Sequence, residues 1–179
     1  AKEGDLGSQL PHLPSGVVWK AGDVVEVAWT LQANHGGGYS YRLCPLGSTL
    51  DEECFQKTPL DFVGQSAFRW GGRGGKVHNF NATYVTEGTT PTGSMWAMNP
   101  VPRAWKNLTT GEWTGNYAQT GEGFQPFCDE DSGTYACVGM WGPYNMEIVD
   151  MVKIPDDLPA GPYVLGWRWD CEESNQIWS

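Results

Sequence analysis

A two-residue apolar alternation, broken at intervals by Gly and Pro, is what most narrows the folds open to this chain. Val25, Val27, Trp29 and Leu31 alternate with Val24, Glu26, Ala28 and Thr30, which places one apolar set on a single face of an extended strand. The same period runs through Tyr39, Tyr41 and Leu43, then Val77 to Val85, then Met146 to Ile154. Near the carboxy-terminal end Tyr163, Leu165, Trp167 and Trp169 are expected to form the strongest inward face, opposite Val164, Gly166 and Arg168. No segment carries a convincing helical stripe. Clusters such as Pro155 to Pro162 end one strand and launch the next. The pattern predicts an all-β fold, an immunoglobulin/fibronectin-like β-sandwich.

The 179 residues fit one sandwich domain over 1–179. The sequence opens on Ala1 and stops at Ser179 inside what reads as a final strand, so the domain is expected to be truncated at both ends. Residues 100–143 lose the alternation and read as a long loop insertion, rich in Gly, Thr, Asn and aromatics. Five cysteines leave one without an internal partner. Cys44 and Cys54 flank one short turn-rich loop, and Cys128 and Cys137 flank another. Two local disulfides are therefore expected, with Cys171 left for a cysteine past Ser179.

The close-spaced cysteines and two sequons, Asn81-Ala82-Thr83 and Asn107-Leu108-Thr109, predict a secreted, extracellular protein glycosylated at Asn81 and Asn107. No apolar run approaches the ~20 residues that cross a bilayer, so no membrane span is expected in this segment. Eleven Lys and Arg against 21 Asp and Glu give a net charge of −10, spread along the chain. That excludes nucleic acid as a natural partner, because phosphate binding needs a clustered positive surface. Neutral polysaccharide is easier to accommodate. Ten tryptophans supply candidate stacking platforms for sugar rings, although most are expected in the core.

One short stretch stands apart chemically. In Asn34-His35-Gly36-Gly37-Gly38-Tyr39 three glycines strip the backbone beside an imidazole, so a metal, a flat substrate or another backbone can approach the ring. His12, in a Pro-flanked segment, and His78, on an expected strand, are read as structural or solvated. Neither a Ser-His-Asp arrangement with recognisable flanks nor a His-Glu-x-x-His motif is present.

The run Ala21 to Trp29 followed by Asn34 to Pro45 resembles the strand, histidine-glycine turn and strand of lytic polysaccharide monooxygenases, and Trp167-Arg168-Trp169 with Gln176-Ile177-Trp178-Ser179 resembles their penultimate strand and the start of the last. A closer resemblance is to a monooxygenase-like, chitin-binding-type-4-like group of algae and other protists. That likeness rests on the histidine-glycine turn at His35 to Gly38, Glu53 to Leu60, Thr86 to Pro91 with Gly93 to Trp96, and Tyr163 to Glu172, kept in the same order.

The resemblance implies copper-dependent oxidative cleavage of an extracellular polysaccharide. In such enzymes an amino-terminal histidine and one internal imidazole make a three-nitrogen copper site with open positions for oxygen chemistry. It gives His35 the role of internal ligand. It implies a part in catalysis for Gln176, which would orient the oxidant, and for Trp178, at an axial position where the family has Tyr or Phe. Residue 1 is Ala, so copper is expected only if an upstream amino-terminal histidine completes the site. The alternative is a catalytically silent, carbohydrate-binding or structural glycoprotein that forms a homo-oligomer or an extracellular assembly.

Overall fold

The computed structural model describes residues 7–11, 13–31, 35–101, 103–106, 113–116 and 146–170. After a 3-10 turn at Gly7–Gln9 the elements are β1 (Val24–Trp29), β2 (Gly38–Pro45), α1 (Glu52–Gln56), β3 (Pro59–Phe62), β4 (Ser66–Trp70), β5 (Lys76–Phe80), β6 (Tyr84–Val85), β7 (Trp96–Met98), β8 (Arg103–Lys106), β9 (Trp113–Asn116), β10 (Met146–Lys153) and β11 (Tyr163–Asp170). The fold is all-β, as the alternation predicts. Residues 100–143 hold a feature the sequence did not signal: β8 and β9 pair as a separate two-stranded ladder, Arg103 opposite Asn116.

The other nine strands form one antiparallel sheet in the order β5-β4-β10-β3-β2-β7-β6, with β1 added on β10 and β11 on β2. Strand β3 is the corner. Its end, Asp61 and Phe62, pairs with β10, while its start, Pro59 and Leu60, pairs with β2. A sheet that changes partners along one strand must curl. The curl brings the two halves face to face: the Tyr39 and Tyr41 hydroxyls of β2 reach Asp150 on β10, and Trp29 of β1 lies against Trp167 of β11, ring centres 4.9 Å apart.

The register explains why the apolar sets meet. Val25, Val27 and Trp29 stand opposite Val152, Asp150 and Ile148, and Ile148 in turn stands opposite Phe68. The inward positions of β2, Tyr39, Tyr41 and Leu43, are all buried. Fully burying an aliphatic side chain of this size is worth about 1.5–3 kcal/mol, so this facing set dominates the fold's stability.

Strand β2 is buried on its other face too. The helix α1 covers it, started by Asp51, whose carboxylate accepts from the Cys54 N–H at 2.9 Å. Cys44 and Cys54 form a disulfide that ties the helix to the strand. Arg42 makes a two-pronged ion pair with Glu52, and its guanidinium lies 5.5 Å from the centre of the Phe55 ring. Burial works against charge on Glu52, but the Arg42 guanidinium outweighs it and holds the carboxyl below its ordinary value. Next to them Gly166 is required by close approach: a Cβ there would lie 2.8 Å from Cε1 of Phe55.

Candidate functional site at the histidine-glycine turn

The chain leaves β1 through the buried Leu31 and resumes as His35-Gly36-Gly37 ahead of β2. Gly36 and Gly37 take φ of 67° and 71°, the left-handed region where a side chain is strained. Both glycines are buried, so their polar groups need partners. The Gly36 carbonyl accepts from the Trp169 indole N–H at 2.8 Å and from the Asn99 amide at 3.2 Å. The Gly37 carbonyl accepts from the Asn99 backbone N–H at 2.9 Å, and the Asn99 side-chain oxygen accepts from the Val101 N–H at 2.9 Å. The turn is thus clamped from two directions, by the end of β11 and by the segment after β7. Asn99 was not legible as a site residue; its only sequence signal is an Asn before a Pro, which commonly marks a turn.

His35 itself is exposed, with its ring centre 6.1 Å from that of Trp169 and the planes 53° apart. A fixed backbone therefore carries a solvent-accessible imidazole at the edge of the curled sheet. Ring contacts lead inward from there. Trp169 is 5.8 Å from Trp167, Trp167 is 4.9 Å from Trp29, and Trp29 meets Tyr39 edge-on at 4.7 Å.

Here the structure corrects the sequence. Leu165 and Trp167 lie on the same sheet face as Leu43 and Tyr41, their register partners, yet 40% and 38% of their surfaces remain exposed. Among the described residues β11 pairs only with β2, and β1 only with β10. The two border strands meet through side chains without a ladder, so the inward face of β11 is covered on one side only. The result is a half-open aromatic seam running from Leu165 through Trp167 to Trp169 and His35.

Behind the seam is a buried acid. Asp150 has no exposed surface and accepts from the Tyr39 hydroxyl at 3.0 Å, the Tyr41 hydroxyl at 3.1 Å and the Ser66 hydroxyl at 2.6 Å. Burial pushes its carboxyl above the ordinary carboxylate value, and the three hydroxyl bonds only partly pull it back. Burial, followed by the neighbouring Asp150 charge, raises both tyrosines. Its place in the apolar alternation of β10, between Ile148 and Val152, is the signal that could have marked Asp150.

Of the other expected residues, Asn81 is exposed just past β5 and accepts a hydrogen bond from the Gln65 amide at 3.0 Å. His78 is half-buried on β5. Gln176, Trp178, Asn107, Cys128, Cys137, Cys171 and His12 lie outside the described residues. Among the described residues no three His, Cys, Asp or Glu side chains gather as a metal site. His35 offers one imidazole, so these residues alone do not make a three-nitrogen copper centre. Also among them, no helix is long and apolar enough to cross a membrane. Comparison with known proteins brings no match to this chain from family models, curated proteins or solved structures.

Proposed function

We propose that this chain is a secreted protein that works on extracellular polysaccharide through the His35 edge, in the manner of a lytic polysaccharide monooxygenase with an immunoglobulin-like sandwich. The observation that carries this reading is the clamped turn. Two left-handed glycines and the Asn99 and Trp169 contacts hold one exposed imidazole at the open end of an aromatic seam. A metal ligand or an oriented sugar contact needs such a fixed mount, whereas a solvated surface histidine does not. The exposed part of Trp167 adds a flat apolar surface of the kind on which sugar rings stack.

In the oxidative form of the proposal His35 supplies one nitrogen, and the remaining donors come from residues other than those described. The test is copper titration of two proteins, the 179-residue segment and the full precursor after signal cleavage. The segment should bind Cu(II) orders of magnitude more weakly than a complete three-nitrogen site, because missing ligands cost that much. A mature protein that begins with histidine should bind one Cu(II) with a three-nitrogen spectrum and, given reductant, release oxidised oligosaccharides. His35→Ala should abolish both. Copper binding that survives His35→Ala sinks the assignment.

The second reading is a silent carbohydrate-binding or structural glycoprotein, favoured by the exposed part of Trp167, a flat apolar surface that needs no metal to hold a sugar ring. A full precursor that never binds copper yet retains polysaccharide affinity dependent on Trp167 establishes it.

A further inference from the structure

A groove of about 190 Å³ lies on the outer face of the β1, β10, β4 and β5 half of the sheet. Ala67 and Val149, buried register partners, belong to its floor, and Val77, Asn79 and Gln65 to its exposed wall. Arg69 also lines it, its charge answered by Glu26 at 3.0 Å and Glu147 at 2.6 Å. Arg73 also lies 3.9 Å from Glu26, so two cations answer two carboxylates and the groove is close to electrically neutral, part apolar and part amide. Val77 leaves 53% of its surface in solvent.

The position of Asn81 identifies what covers this groove. In the β4/β5 ladder Arg69 stands opposite Val77 and Ala67 opposite Asn79. Two residues further along, the same register sets Gln65 opposite Asn81, and the Gln65 amide bonds the Asn81 side-chain oxygen at 3.0 Å. Side chains two apart on a strand share a face. Asn81 thus continues the row Val77, Asn79 at the end of the groove, and Gln65 is both its hydrogen-bond partner and a groove residue. With the Asn81 oxygen held by Gln65, the amide nitrogen is the atom left to carry a substituent.

We infer that the outer groove is the cradle of an N-linked glycan on Asn81, whose first N-acetylglucosamine lies over Val77 with its acetamide among the Asn79 and Gln65 amides. This rests on the secreted reading proposed above. In the transfer, the Asn81 amide nitrogen bonds to the anomeric carbon of a lipid-pyrophosphate-linked oligosaccharide. The carbon–oxygen bond to the pyrophosphate breaks, the amide loses one proton, and the lipid pyrophosphate leaves. A pyranose ring matches a mixed apolar and amide surface, because its C–H face packs on aliphatic carbon while its acetamide exchanges hydrogen bonds with side-chain amides.

The test uses the full chain secreted from a eukaryotic host. Glycopeptide mass spectrometry measures occupancy of Asn81. Thermal unfolding then compares the intact glycoform, a form trimmed by endoglycosidase to a single N-acetylglucosamine, and Thr83→Ala, which destroys the sequon without touching Asn81 or Gln65. The trimmed form should keep the midpoint of the intact one, and Thr83→Ala should fall by about 2–4 °C, the shift expected for the loss of one modest packing contact at this size. Val77→Glu should erase that difference between glycosylated and Thr83→Ala backgrounds, and the exposure of Val77 makes the substitution itself mild. An occupied Asn81 with no Val77-dependent difference overturns the cradle and leaves the secreted reading standing. An unoccupied Asn81 also overturns the cradle, whereas the secreted reading falls only if the protein made in its own cells is retained inside them.

Discussion

Removing the carboxylate of Asp150 should cost more than any other single polar change in the described core. Three hydroxyls converge on it, from Tyr39, Tyr41 and Ser66, and Asp150 has no exposed surface. In Asp150→Ala all three lose their acceptor. A buried polar group left without a partner costs about 1–3 kcal/mol, and the hydroxyls can recover part of this among themselves, so about 3–5 kcal/mol is expected. That is a large share of the ~5–15 kcal/mol that holds a domain together. Asp150→Asn keeps the shape and one acceptor oxygen, and hydroxyls can reverse to accept from its amide; it should stay within about 1 kcal/mol of wild type at pH 4. The pH dependence supplies a sign. Because burial raises the Asp150 carboxyl above 3.8 in the folded state, its contribution is full below that value and is lost as pH rises through the raised one. Asparagine does not titrate, so Asp150→Asn should gain on wild type as pH rises from about 4 through the raised value of the aspartate, by about 1.4 kcal/mol for each pH unit of the raise. Urea unfolding followed by tryptophan fluorescence measures all of this, read as midpoint at constant slope. An Asp150→Ala protein within 1 kcal/mol of wild type, or an Asn variant that loses ground as pH rises, would refute the argument.

Other outcomes follow from the same contacts. Gly166→Ala forces a methyl against Phe55 and should destabilise by about 1–3 kcal/mol; a Phe55→Ala partner change should relieve most of it in a double-mutant cycle. Reducing the Cys44–Cys54 bond, which spans a sequence separation of 10, should cost about 3 kcal/mol by loop entropy, seen as a lower denaturation midpoint in reductant. His35→Ala should leave stability within about 0.5 kcal/mol, as expected for an exposed side chain. Asn99→Ala, which removes one of the two donors to the Gly36 carbonyl and the side-chain acceptor of the Val101 N–H, should cost about 2 kcal/mol and speed hydrogen exchange around the turn. Equal effects from these two changes would contradict the clamp. Glu52 is held below its ordinary value by Arg42, so its contribution is present at neutral pH and lost as pH falls through the lowered value; Glu52→Gln should flatten that acid limb of the stability profile.

Local chemistry made several features legible in the sequence. The two-residue period fixes which side chains of β1, β2 and β10 share a face, because successive residues on an extended chain point opposite ways. The histidine-glycine turn declared itself because consecutive glycines signal backbone that other residues cannot follow. Helix α1 escaped because five residues hold too little periodicity to read, although Asp51 ahead of Glu52 and Glu53 is an N-terminal capping signal.

What the sequence determined, then, was the alternation itself, the strands it builds, the short-range cysteine pair and the glycine turn that follows His35, all of which depend on residues near one another in the chain. Tertiary structure decided the rest. Leu165 and Trp167 carry the same pattern as Tyr39 and Tyr41 but stay half-open, because period sets a side chain's face while burial depends on whether another strand lies beyond it. Asp150 finds its hydroxyls 84 to 111 positions away, and Asn99 reaches the Gly36 carbonyl across 63. Such partners are chosen by the curl of the sheet at β3, a long-range geometry that no short stretch of sequence encodes.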